Sequence, residues 1–110
     1  MFPQAWDWTR HAKDMRFGLL GGTFDPIHYA HLLVAETVRT ALDLERIIFM
    51  PSATAPHKTG KSVTPAQHRW NMLQSAISDN MAFAASALEL ERGGEIMIFR
   101  VLRGKVVLKE

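Results

Sequence analysis

Apolar positions along this chain alternate between short unbroken runs and stripes at helical spacing. Phe17, Leu19 and Leu20 form the first run, between Arg16 and the pair Gly21-Gly22. A run of this length closed by glycine predicts a strand over 16–21, apolar enough to sit centrally in a parallel sheet. From about Tyr29 to Leu42 the period changes. Leu32, Leu33, Ala35, Val38 and Leu42 recur at helical spacing, which predicts a first helix packed on the sheet through those residues. Asp43 breaks that helix, and Arg46-Ile47-Ile48-Phe49-Met50 reads as a second strand. Strand, helix and strand within about 35 residues make a βαβ unit, expected to be right-handed.

Pro51 to Pro65 then forms a loop of about 15 residues, long for a small domain and a candidate for binding. Thr64 as N-cap and Pro65 at the first helical position predict a second helix over about 65–78. Met72, Leu73, Ala76 and Ile77 mark its buried face, and Asn80 ends it. Residues 81–90 hold a third strand, with Phe83, Ala85 and Ala87 alternating against smaller neighbours. Arg92-Gly93-Gly94 breaks the pattern, and two β-rich runs flanking Arg103-Gly104 read locally as a hairpin. The expected organisation is an N-terminal extension over 1–15, a βαβαβ domain over 16–92 and a divergent tail over 93–110. The extension carries Trp6, Trp8 and a solvated His11, and is expected to fray.

Composition narrows the class. A chain of 110 residues suffices for one small domain with its own core. Hydrophobic residues at 47% and charged residues at 22% describe a globular chain, not a disordered one. No apolar run approaches the roughly 18 residues of a membrane span, and residues 1–15 lack the apolar stretch of a secretory signal. No membrane partner is expected. Cysteine is absent, which excludes disulfides and thiolate zinc sites and accords with a cytoplasmic protein. The net charge of +2 is spread along the chain, so no nucleic-acid partner is expected either.

The chemistry concentrates in GGTFDPIHYAHL, residues 21–32. A strand that runs through glycines into a helix N-terminus can hold phosphate: glycine lets backbone approach the anion, and the first helical N–H groups point at it. His28 and His31 lie three apart near one face of the first turn and add donors where phosphate charge develops. Gly21-Gly22 alone fits a ligand-free tight turn equally well, and matches neither the dinucleotide-binding nor the P-loop pattern. Pro56-His57-Lys58 follows the carboxyl end of the second strand, where ligands bind in open parallel sheets.

Taken whole, GGTFDPIHYAHL resembles the box of the HIGH-type nucleotidyltransferases. Within them, IIFMPSATAPHK and HRWNML leading to FAASALELER make the chain similar to the nicotinate-mononucleotide adenylyltransferase family. The resemblance covers about residues 16–92. It implies an α/β fold, the N-terminal half of a Rossmann-like parallel sheet, with a β-rich tail. It further implies transfer of AMP from ATP to nicotinate mononucleotide, giving deamido-NAD and pyrophosphate, with Mg²⁺ on the phosphates of ATP. No protein nucleophile is needed, so catalysis is positioning and charge stabilisation.

By this resemblance His28 and His31 contact ATP phosphates, and Gly21, Gly22, Thr23 and Phe24 form the nucleotide-binding turn. Lys58 is a cation near phosphate or a solvated lysine. His57 serves there or braces the loop, and Arg69 binds phosphate or pairs with an acidic neighbour. Asp25 is a substrate-site residue that either meets a metal or shapes the turn and caps the helix. Ala30 replaces the glycine of the family box, where its methyl crowds the nucleotide. Ala55 replaces a proline of the family's loop.

The family's later Ser-Tyr-Thr helix and its phosphate-gripping Ile-Ser-Ser/Thr motif have no counterpart here, so a truncated enzyme is expected. Strand one would then have an open edge, which the terminal hairpin is placed to cover. Two alternatives stand beside the enzyme: a non-catalytic nucleotide-binding fragment, acting as a homo-oligomer or with a complementing chain, and an enzyme like the phosphopantetheine adenylyltransferases. Pro56-His57-Lys58 argues against the latter.

Overall fold

The computed structural model describes residues 10, 15–53, 63–92 and 106–109. In chain order these form β1 (Phe17–Gly22), α1 (Tyr29–Ala41), β2 (Arg46–Pro51), α2 (Ala66–Ile77), β3 (Phe83–Ala85), α3 (Leu88–Arg92) and β4 (Val106–Lys109). The strands make one sheet in the order β3-β2-β1-β4. All three pairings are parallel, with Leu19 opposite Ile48, Ile48 opposite Ala84, and Leu19 opposite Val107. The parallel βαβαβ arrangement expected over 16–92 is present.

Side-chain alternation divides the core between the two faces of the sheet. Leu20, Ile47, Phe49 and Phe83 pack with Ala35 of α1 and with Trp70, Leu73 and Ile77 of α2. Phe17, Leu19, Ile48 and Met50 fill the other face, with Leu88 of α3 against them. Burial on both faces accounts for the nearly continuous apolar sequence of β1 and β2.

Several elements differ from expectation. Gly21 and Gly22 belong to β1, because its ladder with β2 continues to the pair Gly22 and Pro51; the turn begins at Thr23. On α1 the buried residues are His31 and Ala35, with Leu32 and Val38 half-buried against the core. Leu33 is 68% exposed, since it stands roughly 200° around the helix from His31. Leu42 falls beyond the last helical residue and is also exposed. Residue 43 takes φ 53°, the left-handed geometry that ends helices, and Arg16 Nη2 donates to the Leu42 carbonyl at 2.9 Å.

The cap of α2 is Pro65, not Thr64, and its buried face is Arg69, Trp70, Leu73 and Ile77. Met72 and Ala76 are only half-buried. The third strand is limited to Phe83–Ala85. Residues Ser86 and Ala87 leave the sheet, and Ser86 Oγ accepts the Leu88 N–H at 3.3 Å at the start of α3, which the sequence pattern did not announce. β4 runs parallel along the second edge of β1. The first arm of the expected hairpin, and all of the expected extension except Arg10 and Met15, lie outside the described residues.

Candidate functional site

The carboxyl ends of β1 and β2 set the site. Beyond Gly22 the chain turns through Thr23–Ile27 into α1. Phe24 takes φ 51°, a conformation unfavourable for a bulky side chain. Its ring is wholly buried, edge-on to the His31 ring at 5.1 Å and tilted against Phe49 at 5.9 Å. The Asp25–Pro26 peptide bond is cis. Only the backbone of Phe24 can therefore meet a ligand; its side chain is core.

His28 is the extended N-cap of α1, and its carbonyl accepts the His31 N–H at 3.0 Å. In return His31 Nδ1 accepts the His28 N–H at 3.1 Å. An accepting Nδ1 fixes neutral His31 as the tautomer with its proton on Nε2, a donor. The two rings lie 4.0 Å apart between centroids and 35° from parallel. His28 is exposed and His31 is 9% exposed. The pair thus stands at the positive end of the helix dipole, where an anion is favoured.

β2 closes the other side. Ser52 donates its N–H to the Gly22 carbonyl at 2.8 Å and its Oγ to the same atom at 3.3 Å. Arg69 enters from α2, 2% exposed. Its Nη1 donates to the carbonyls of Thr23 and Ser52, both at 2.9 Å, and its Nε to that of Thr64 at 2.8 Å. Asp25 Oδ2 accepts the Thr64 N–H at 2.8 Å. Bonds from the Thr64 hydroxyl and N–H, with the charge of Arg69, hold the Asp25 carboxyl below its ordinary range. Burial pushes the Arg69 guanidinium down, and the Asp25 charge offsets part of that.

Of the residues expected here, Gly21 and Gly22 close β1, Thr23, Phe24 and Asp25 form the turn, and His28 and His31 open α1, so all seven lie along one β1–α1 junction. Arg69 reaches that turn from within the protein. His57 and Lys58 lie outside the described residues. Ser52 and Thr64 were not expected as site residues, although Ser52 follows a strand's carboxyl end, the position that could have marked it. Asp25, the turn's carboxylate, is committed to Thr64. Among the described residues no set of three His, Asp or Glu side chains converges as metal ligands. The chemistry on offer is anion binding by backbone N–H groups and imidazole donors.

A model of the cytidylyltransferase-like family matches residues 19–108. The chain is 48% identical over 79 residues to a probable nicotinate-nucleotide adenylyltransferase of Clostridium botulinum, covering 72% of this chain and 40% of that protein. It is 49% identical over 88 residues to one from Symbiobacterium thermophilum, covering 80% and 42%. The chain spans about two fifths of the length of these curated relatives. A Plasmodium falciparum nicotinic acid mononucleotide adenylyltransferase, solved with NaAD and with APC, superimposes with TM-scores of 0.56 and 0.59. That match covers 86% of this chain and about half of the other, at 18% identity, and bears on the fold. No helix among the described residues is long and apolar enough to cross a membrane.

Proposed function

The chain belongs to the cytidylyltransferase-like family, and from that premise we propose that it acts as a cytoplasmic nicotinate-nucleotide adenylyltransferase of NAD biosynthesis. In this reaction an oxygen of the nicotinate mononucleotide phosphate attacks the α-phosphorus of ATP. A new P–O bond forms, the bond from the α-phosphorus to the bridging oxygen breaks, and pyrophosphate leaves with the electron pair. The products are deamido-NAD and pyrophosphate. Mg²⁺ enters on the phosphates of ATP, as part of the substrate.

The observation that supports this reading is the stacked imidazole pair at the α1 N-terminus. His28 and His31 stand at the first turn of α1 with their rings stacked, and the bond from the His28 backbone N–H to Nδ1 of His31 leaves Nε2–H as the His31 donor. On this reading they face the triphosphate and stabilise charge as the α-phosphorus is attacked. The backbone of Gly22 and Thr23 lets the nucleotide approach closely. His57 and Lys58, by family resemblance, add contacts from the loop after β2.

A second reading is favoured by one observation, the two-fifths span of the curated relatives. On it the chain binds nucleotide without turnover of its own, as a binding fragment or beside a complementing chain. One experiment separates the readings. Purified protein is given ATP, Mg²⁺ and nicotinate mononucleotide, and ATP binding is measured in parallel. Deamido-NAD formation that disappears in a His28→Ala, His31→Ala double variant supports the enzyme. ATP binding that depends on the same residues, without product, supports the fragment. Neither binding nor product overturns both. Substituting phosphopantetheine for the mononucleotide tests the remaining alternative.

A further inference from the structure

Arg69 has no partner evident from sequence, yet it is almost fully buried and donates three hydrogen bonds to backbone carbonyls. The three acceptors belong to three separate segments. Thr23 follows β1, Ser52 follows β2, and Thr64 precedes α2. Arginine is a donor only, and its flat fork suits several carbonyls at fixed angles. Nε and Nη1 are committed to these carbonyls, which removes them from any grip on phosphate. Asp25 completes the arrangement by holding the N–H of Thr64, the residue whose carbonyl Arg69 holds.

The consequence falls on the turn. Thr23 is followed by Phe24, whose φ of 51° must be imposed by its surroundings. The buried Phe24 ring holds one side of that conformation. The Arg69 bond to the Thr23 carbonyl, immediately before it, holds the other. The bond from the same Nη1 to Ser52 keeps the ends of β1 and β2 at a fixed separation.

We propose that Arg69 is a positioning residue: through Nε and Nη1 it sets from inside the protein the backbone path that nucleotide contacts, and neither nitrogen is a phosphate ligand. This rests on the nucleotide-binding reading above. Lysine keeps the charge but cannot reach three carbonyls in a planar fork. Arg69→Lys is therefore expected to weaken ATP binding by about 10- to 100-fold, as displaced site geometry does. Amide hydrogen exchange at residues 22–25 rises with it, while Ile48 and Leu73 stay protected.

ATP binding to Arg69→Lys within about twofold of wild type would show that charge alone matters and would overturn the proposal. Unchanged exchange at 22–25 would overturn it too. The wild-type protein supplies a test that needs no variant to fold. The Arg69 Nε–H resonance should keep its frequency when ATP saturates the site, and a shift on direct contact with phosphate would refute the assignment. Failure of the nucleotide reading looks different: wild-type protein then binds no ATP at all.

Discussion

The His31 ring accepts the backbone N–H of His28 through Nδ1 at 3.1 Å, so one residue both caps the helix and presents a donor. The geometry is that of a capping box, in which the third helical residue reaches back to the N-cap N–H. Glutamine can take that structural part, because its side-chain oxygen accepts the same N–H. It cannot supply an imidazole Nε2–H at the same place.

His31→Gln and His31→Ala therefore separate the two tasks. The alanine variant leaves the His28 N–H unpaired and removes the ring packed against Phe24, and is expected to lose about 2–4 kcal/mol of stability. The glutamine variant keeps the cap and loses only the ring contact with Phe24, so it should lie within about 1.5 kcal/mol of wild type and above the alanine variant. Both should lose ATP affinity. Urea midpoints and a nucleotide titration on the same preparations check this, and a glutamine variant that binds ATP normally would remove His31 from the phosphate role.

The Asp25–Thr64 contact gives the fold an acid sensitivity. Its hydrogen bonds hold the folded carboxyl below the ordinary value of 3.8. A lowered folded pKa means that the contribution is complete above the unfolded value and is lost as pH falls through the folded one. Melting temperature should be flat from about pH 7 to pH 5 on this account and decline below about pH 4. Asp25→Asn is expected to be less stable near neutral pH and to show a shallower decline in acid. An identical slope in both proteins would assign the acid transition to other carboxylates.

Phe24 offers a test in which the usual order of two substitutions reverses. Removing the buried ring costs about 3–5 kcal/mol, because it packs against His31 and Phe49. Ordinarily glycine would be the worse replacement. At φ 51° glycine alone carries no steric penalty, so Phe24→Gly should be more stable than Phe24→Ala by about 1 kcal/mol. Alanine being the better replacement in denaturant unfolding would mean that the turn relaxes once the ring is gone.

Much of this was legible in the chain because local rules and tertiary packing agreed. Phe17–Leu20 and Ile47–Met50 are apolar on both faces and became the central strands. Ala35 and Leu73 fall where helical period puts them. The turn from β1 into α1 was legible from its glycines and the histidine spacing, both short-range signals. Arg69 was not, since its acceptors are carbonyls 5, 17 and 46 residues away, and every residue has a carbonyl. Leu33 misled for a related reason: an apolar residue beside a stripe reads as part of it, and only the sheet decides which side is covered. Thr64 looked like a cap because its side chain could bond locally, but Asp25 competed for it from 39 residues away.

Ala30 provides the sharpest comparison with the family box. It occupies the first turn of α1, exposed, between the two histidines. Glycine at that position would destabilise the helix by about 0.5–1 kcal/mol, so its presence in the box implies a ligand that needs the space. If phosphate and adenosine pass over this turn, the Ala30 methyl stands in their way. Ala30→Gly should then bind ATP more tightly while melting lower, two changes of opposite sign in one variant. A merely structural effect moves the melting temperature and leaves affinity alone. Titration beside a thermal melt distinguishes them, and a glycine variant that binds ATP no better would place the nucleotide away from the α1 N-terminus.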